Sequence, residues 1–120
     1  MKKKIFCFDL DGVICKNLKK GEKNYKKAIP IIKSINTVNN IYKEGHRVIV
    51  FTSRYMGRNK DKANLAIKDG YKQTEKQLQK WGLKYNKLIF GKPSYDVIVD
   101  DKSLYFKKNW HKKIMKIKNK

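Results

Sequence analysis

Residues 4–12 read KIFCFDLDG, and this stretch determines the fold. Its first five residues are apolar apart from Lys4, include Ile and Phe, and show almost no polar alternation, which is typical of a parallel strand covered on both faces. Asp9 stands where this strand is expected to end, and Gly12 permits a tight turn shortly after it. A buried strand that ends on acidic residues indicates an open α/β sheet with its functional site beyond the carboxyl ends of the strands.

Three further apolar runs repeat this pattern along the chain. They are Arg47–Phe51, Lys87–Phe90 and Asp96–Val99. Helical periodicity lies between the strands, over Ala28–Tyr42 and Asp61–Trp81, and a glycine follows the end of each segment. The predicted apolar faces consist of Ile29, Ile32, Ile35, Val38 or Asn39, and Tyr42 in the first helix, and of Leu65, Ile67, Tyr71, Leu78 and Trp81 in the second. Alternating strands and helices predict a three-layer α/β/α domain with a parallel sheet.

A chain of 120 residues is long enough for one domain with a real core and too short for two. We expect a single domain over residues 1–120, with a basic tail from about residue 107 that forms either a last helix or an edge strand. Cys7 and Cys15 have no metal-ligand spacing, and we expect reduced thiols, with Cys7 inside a buried strand. No apolar run approaches the length of a bilayer span, and no signal-peptide pattern is found. These features predict a cytoplasmic protein without membrane association.

The net charge of +21 suggests a nucleic-acid partner, but its composition argues otherwise. Nearly all of the positive charge is lysine, and the three arginines are Arg47, Arg54 and Arg58. Base recognition and bidentate phosphate binding favour arginine. The lysines are spread over the whole chain together with many Asn and Ile residues, which indicates a coding bias. We therefore expect no specific nucleic-acid binding.

Polar side chains follow three of the predicted strands. Asp9 follows the first strand, Thr52 follows the second, and Asp100 and Asp101 follow the fourth. Carboxyl ends of parallel strands meet at one edge of a sheet, so these groups are expected to share one crevice. An aspartate after a strand is often only a turn former, but several at separate strand ends indicate a site.

The gathered carboxylates, with Asp11 added to the set, predict a metal ion. Adjacent carboxylates repel one another, and a hard divalent cation relieves the conflict. Oxygen ligands without His or Cys favour Mg²⁺. Lys92 and the Thr52 hydroxyl add a positive charge and a donor, which suits a phosphoryl group. The residues therefore predict a phosphoryl-transfer site.

The same residues resemble the four motifs of the haloacid dehalogenase superfamily. FDLDGVIC at residues 8–15 resembles the first motif, Thr52 in VIVFTSR the second, Lys92 in FGKP the third, and VIVDD at residues 97–101 the fourth. They stand in the family's order, and the resemblance covers residues 4–102. Two longer phrases, INTVNNIYKEGHRVIVFTSR and QLQKWGLKYNKLIFGKPSYDVIVDDKS, are also similar to small bacterial capsule-biosynthesis phosphatases.

The resemblance implies a Rossmann-like core and a role for each motif residue. Asp9 would attack phosphorus to form an aspartyl-phosphate, and Asp11 would protonate the leaving alcohol and then activate water. Asp9, the backbone carbonyl of Asp11, and Asp100 would hold Mg²⁺. Asp101 would either support the metal from behind its ligands or anchor the lysine of the third motif. Because dehalogenases of the superfamily lack an acid two residues after the nucleophile, Asp11 favours phosphate chemistry.

The phosphate itself would be bound by Thr52, Ser53 and Lys92, with help from backbone amides near Leu10 and Ser53. Arg54 comes just after this group on a predicted rim loop, where it would contact a substrate anion or solvent. Residues 13–27 suffice for a small flap but not for a cap domain. We therefore expect a capless, oligomeric protein whose specificity comes from residues 16–24, residues 54–60 and a partner chain.

The expected activity is hydrolysis of a small phosphorylated metabolite, such as a polyol, amino-alcohol or sugar phosphate for capsule or surface polysaccharide synthesis. A polynucleotide or nucleotide phosphatase is the alternative enzyme, and a non-catalytic basic binding domain is the alternative of another class.

Overall fold

The computed structural model describes residues 2–120 and contains three strands and three long helices. In chain order these are β1 Ile5–Asp9, α1 Ile32–Lys43, β2 Arg47–Thr52, α2 Ala63–Lys80, β3 Lys87–Phe90 and α3 Trp110–Lys118. The strands form one parallel sheet in the order β1-β2-β3. The predicted α/β class, with a parallel sheet in a Rossmann-like core and no cap domain, is confirmed. Single-turn helices at Tyr25–Lys27 and Gly57–Asn59 lie in the two long connections.

One face of the sheet carries the core, because side chains alternate between faces along each strand. The buried face consists of Phe6, Phe8, Val48, Val50, Thr52, Leu88 and Phe90. On the other face Ile5 and Cys7 are exposed, while Ile49, Phe51 and Ile89 are half-buried. The prediction that Cys7 is buried was therefore wrong, because its side chain points to the less covered face.

The first and last helices pack against each other. Helix α1 buries Ser34, Ile35, Val38 and Ile41, whereas the predicted face residues Ile29 and Ile32 are exposed. The predicted apolar face differs from the buried one because the helix begins at Ile32, four residues later than expected, after an extended segment at Pro30. The basic tail forms the helix α3, whose Trp110 ring lies 6.2 Å from the Phe8 ring. His111 Nε2 and Ser34 Oγ are 2.9 Å apart, which joins α3 to α1.

Of the residues predicted for the apolar face of α2, Leu78 is buried and Tyr71 and Trp81 pack against the core, but most of the buried positions are small residues. The inner face of the helix consists of Ala66, Gly70, Thr74 and Leu78, while Leu65 and Ile67 are exposed. The small side chains leave room for two residues that follow β2: the Tyr55 ring lies directly on Gly70, and Arg54 lies beside Thr74. The inner face of α2 is thus shaped by the loop after β2.

The predicted fourth strand does not form. Residues 91–109 contain no strand, and the side chains of Val97 and Val99 are 79% and 94% exposed. Asp100 instead forms a local turn, in which its Oδ1 accepts a hydrogen bond from the Lys102 N–H at 2.8 Å. Strand formation requires a partner, and β-propensity alone does not supply one. Within residues 2–120 the outer edge of β1 has no strand beside it.

None of the helices in residues 2–120 is long and apolar enough to cross a membrane.

Candidate active site

A cavity of about 550 Å³ opens at the carboxyl ends of the strands. Parallel pairing aligns Asp9 at the end of β1 with Phe51 near the end of β2, so the segments that follow both strands meet here. The cavity is lined by Asp9, Asp11, Asn17, Leu18, Glu22, Tyr25, Ser53, Lys92, Pro93, Ser94 and Tyr95. Four of the predicted site residues, Asp9, Asp11, Ser53 and Lys92, therefore lie together.

Asp9 and Lys92 form an ion pair on the cavity wall. The Lys92 Nζ lies 3.3 Å from Asp9 Oδ2, and Asp9 Oδ1 accepts a hydrogen bond from the Leu10 N–H at 2.8 Å. Burial raises the pKa of Asp9, although the charge of Lys92 and the Leu10 N–H oppose the shift. Burial by itself lowers the pKa of Lys92, but a hydrogen bond to Tyr95 and the charge of Asp9 leave that pKa raised overall. The raised pKa of Lys92 favours its cationic form beside Asp9.

Thr52, at the end of β2, makes hydrogen bonds to the backbone of both Lys92 and Arg54. The Thr52 carbonyl accepts a hydrogen bond from the Lys92 N–H at 3.1 Å, which ties the segment after β3 to the end of β2. Thr52 is fully buried, and its Oγ1 accepts from the Arg54 N–H at 3.1 Å, so the hydroxyl keeps its own hydrogen for another partner. Ser53, the next residue, faces the cavity.

Arg54 does not lie on an exposed rim, so its prediction as a substrate contact was wrong. Its side chain is 1% exposed and forms a two-point ion pair with Asp11: Nε lies 2.9 Å from Oδ2, and Nη2 donates to Oδ1 at 3.0 Å. Sequence reasoning missed this burial because arginine is almost never fully buried unless it is paired. Its partner Asp11 lies 43 positions earlier in the chain.

Asp100 and Asp101 are not part of the cavity, because the fourth strand that was to deliver them does not form. Both side chains are exposed, and within residues 2–120 no three His, Cys, Asp or Glu side chains are grouped around a possible metal position. The predicted ligand Asp100 is therefore not brought to Asp9. Mg²⁺ is typically bound by one or two carboxylates together with substrate phosphate oxygens and water, and Asp9 and Asp11 are the carboxylates of the predicted ligand set that line the cavity.

Part of the cavity lining comes from the flap, defined here as residues 13–27. Asn17, Leu18, Glu22 and Tyr25 of the flap line the cavity. Their polar and aromatic character in a short segment between β1 and α1 was the only signal for them in the sequence. Gln77, which contacts Arg54, gave no signal, because a glutamine in a lysine-rich helix resembles a solvated position.

No protein-family model matches the chain, and no curated protein does. Among solved structures, the crystal structure of an MCSG target from Vibrio cholerae matches it with a TM-score of 0.75. The match covers 97% of this chain and 98% of the other chain at 17% sequence identity. At that identity the similarity shows a common fold and nothing about activity.

Proposed function

We propose that this protein is a magnesium-dependent phosphomonoesterase of the haloacid dehalogenase type, with Asp9 as the nucleophile. The observation that carries the proposal is the Asp9 carboxylate, 3.3 Å from the Lys92 ammonium at the end of a parallel strand, in a cavity that also contains Asp11 and Ser53. A carboxylate beside a fixed cation suits attack on a phosphoryl group, because the cation neutralises phosphate oxygens that would otherwise repel the nucleophile. The order of the four motifs in the sequence supports the same assignment.

In the proposed reaction Asp9 attacks phosphorus, and the bond from phosphorus to the ester oxygen breaks. Asp11 gives its proton to that oxygen, so the alcohol leaves neutral. Water then attacks the aspartyl-phosphate, Asp11 accepts a proton from it, and inorganic phosphate leaves with Asp9 restored. Lys92 and the Ser53 side chain stabilise the charge on the transferring group throughout.

Mg²⁺ would be held by the Asp9 carboxylate and, as the family resemblance implies, by the backbone carbonyl of Asp11. When bound it would offset the negative charge of the carboxylate and of the phosphate oxygens.

The cavity supports a small substrate with a polar leaving group. Its volume of about 550 Å³ suits a metabolite, and within residues 2–120 no second domain covers it. Glu22 and Asn17 present hydrogen-bonding groups to the part of a substrate beyond the phosphate. We therefore propose a polyol, amino-alcohol or sugar phosphate of the kind used for surface polysaccharide synthesis, and the cytoplasm as the location. The alternative, a nucleotide or polynucleotide phosphatase, is favoured by the uncovered cavity together with the net charge of +21.

The experiment is a phosphate-release screen of polyol, amino-alcohol, sugar and nucleoside monophosphates, each with Mg²⁺, with Ca²⁺ and after chelation. We expect turnover with Mg²⁺, loss of turnover with EDTA and poor replacement by Ca²⁺, whose looser geometry disturbs in-line attack. Full activity after exhaustive chelation would contradict the metal requirement, and a clear preference for nucleotides would favour the alternative.

A further inference from the structure

We infer that Arg54 is a positioning residue that sets the carboxylate of Asp11 for proton transfer and stabilises it after the proton has left. This inference rests on the proposed function. It assigns to Arg54 a role through Asp11 rather than a contact with substrate.

The contact geometry separates the two sides of the Asp11 carboxylate. Arg54 reaches both carboxylate oxygens at 2.9 and 3.0 Å, while the Asp11 side chain keeps 20% of its surface exposed and lines the cavity. One side of the group is thus bound and the other faces the substrate. A fork of two parallel N–H donors fixes the plane of the carboxylate, which a single charge would not do.

Arg54 is itself held from three directions. Its Nη1 donates to Gln77 Oε1 at 2.6 Å, and Thr74 Oγ1 lies 3.4 Å from the same nitrogen. The Tyr25 ring centre lies 4.6 Å from the guanidinium carbon, and Gln77 Nε2 donates to the Tyr25 carbonyl at 2.8 Å. The guanidinium therefore cannot move without disturbing α2 and the flap, so it acts as a rigid support.

The charges explain why this support matters for the reaction. When Asp11 protonates the leaving oxygen, its O–H bond breaks and a carboxylate remains. The two-point pair with Arg54 suits this deprotonated form, the form present after the proton has passed to the leaving oxygen. The same pair holds the charge of Asp11 against Arg54. Without Arg54 the two carboxylates would face one cavity in which, among the described lining residues, Lys92 is the cation.

The test compares leaving groups, because a support for proton transfer matters only when the leaving oxygen needs a proton. Arg54→Lys and Arg54→Gln are assayed on an alkyl phosphate and on 4-nitrophenyl phosphate, whose phenolate leaves without protonation. We expect kcat/KM to fall about 100-fold on the alkyl ester and only about threefold on the aryl ester, within the range attributed to general acid catalysis. Gln77→Ala removes one hydrogen-bond partner of Arg54. We expect it to lower kcat/KM more on the alkyl ester than on the aryl ester, but by a smaller factor than the Arg54 variants.

Three controls make the result decisive. Arg47→Gln, at the exposed amino end of β2, is a matched arginine change and should leave kcat/KM unchanged for both esters. Thermal unfolding of every variant separates misfolding from altered catalysis, and Gln77→Ala supplies the test if both Arg54 variants fail to fold. In an Asp11→Asn background, Arg54→Gln should cause no further loss of kcat/KM on the alkyl ester, because both changes remove the same function.

The outcomes distinguish the inference from the function on which it rests. Turnover that survives Asp9→Asn overturns both. Turnover that depends on Asp9, with an equal loss on both esters in folded variants or an additive loss in the Asp11→Asn background, overturns only the role of Arg54.

Discussion

At the scale of single residues, the charge at the cavity is set by two ion pairs, each of which joins one cation to one carboxylate. Lys92 lies beside Asp9, where a phosphate would arrive, and Arg54 lies behind Asp11, away from the substrate. Each cation therefore acts on a different carboxylate. A lysine, with a single mobile charge, suits the pair that must open to phosphate, and an arginine fork suits the pair that must stay fixed.

The Asp9→Asn variant should lose turnover while it keeps its fold, because an amide is a poor nucleophile of nearly the same shape. We expect phosphate release to fall by about 1,000-fold or more, as for other removed nucleophiles. Circular dichroism should be unchanged. The matched control is Asp96→Asn, an exposed position outside the cavity, which should have normal turnover. A folded Asp9→Asn protein with nearly normal activity would rule out this mechanism.

The buried His46 should make stability fall in mild acid. Its side chain is only 2% exposed, and burial lowers its pKa from the ordinary value of 6.5, helped by the charges of Lys3 and Lys4 and opposed by Glu44. A histidine with a lowered pKa in the folded state takes up its proton more readily when unfolded. Its contribution to stability is therefore complete above about pH 6.5 and is lost as the pH falls below that value.

Urea unfolding of the wild type and of His46→Gln between pH 5 and 7.5 measures this effect. The variant should be less stable overall, because the edge-on contact with the Phe6 ring is lost, but its stability should depend less on pH. The pKa of His111 is also lowered by burial, so part of the pH dependence of stability remains in both proteins. The raised pKa of Asp9 has the opposite effect, because it makes stability rise as the pH falls. Equal slopes for the two proteins would contradict the assignment to His46.

At the scale of elements, the loop after β2 and the inner face of α2 fit each other closely. A Cβ on Gly70 would overlap the ring of Tyr55, which has a positive φ of 66° and donates a hydrogen bond to Gln73 Oε1 at 2.6 Å. The glycine in the middle of α2 is therefore required by packing and is not a weak point of the helix.

The Gly70→Ala variant tests this close approach, because the two effects of an added methyl group oppose each other. Helix propensity alone would stabilise the protein by about 1 kcal/mol. Overpacking against Tyr55 costs about 1–3 kcal/mol, so we expect a net loss of unfolding free energy in urea. Gly57→Ala is the control, because a Cβ there meets nothing within 4 Å. A stabilised Gly70→Ala protein would show that the ring moves aside without cost.

The elements also show which part of the structure the sequence could predict. Three strands were predicted to within one residue at each end, because a short continuous apolar run is typical of a parallel strand. Residues 96–99 have the same composition and remain outside the sheet, because pairing depends on distant backbone that composition does not describe. The Asp11–Arg54 pair could not be predicted for the same reason. Motif residues at strand ends were predictable, since each end is fixed by its own strand.

At the scale of the whole molecule, the charge is spread rather than concentrated. The chain carries 31 basic and 10 acidic residues. Nucleic-acid contact sites usually concentrate such charge on one face, together with a recognition motif. A uniform positive field attracts anions of many kinds, including phosphate esters, without selecting among them.

Binding to nucleic acid should therefore be weak, independent of sequence and lost steeply with salt. Fluorescence anisotropy with two unrelated duplexes and one single strand at 50–200 mM salt measures it. Affinity should fall by about 1,000-fold or more over that range if six or more phosphates are contacted. Tight binding that persists at high salt, or a preference for one sequence, would favour the nucleic-acid alternatives.

The absence of a cap domain leads us to expect a homo-oligomer, either a dimer or a tetramer. An uncovered cavity admits water, which screens the ion pairs within it, and a neighbouring subunit would exclude part of that water. The flap residues Asn17, Leu18, Glu22 and Tyr25 line the cavity, so we expect such a subunit to contact them. Light scattering at working concentration measures whether the protein is a monomer, a dimer or a tetramer. A monomer that still discriminates among small phosphate esters would show that the flap suffices.

The free outer edge of β1 has a consequence for how the protein behaves in concentrated solution. An unpaired strand edge, with exposed Ile5 beside it and the exposed apolar residues 97–99 elsewhere on the surface, is a template for edge-to-edge aggregation. The large positive charge acts as a colloidal barrier, because like-charged copies repel before their edges can meet. Polyanions or concentrated salt weaken that barrier. We therefore expect the lysines to keep the protein dispersed.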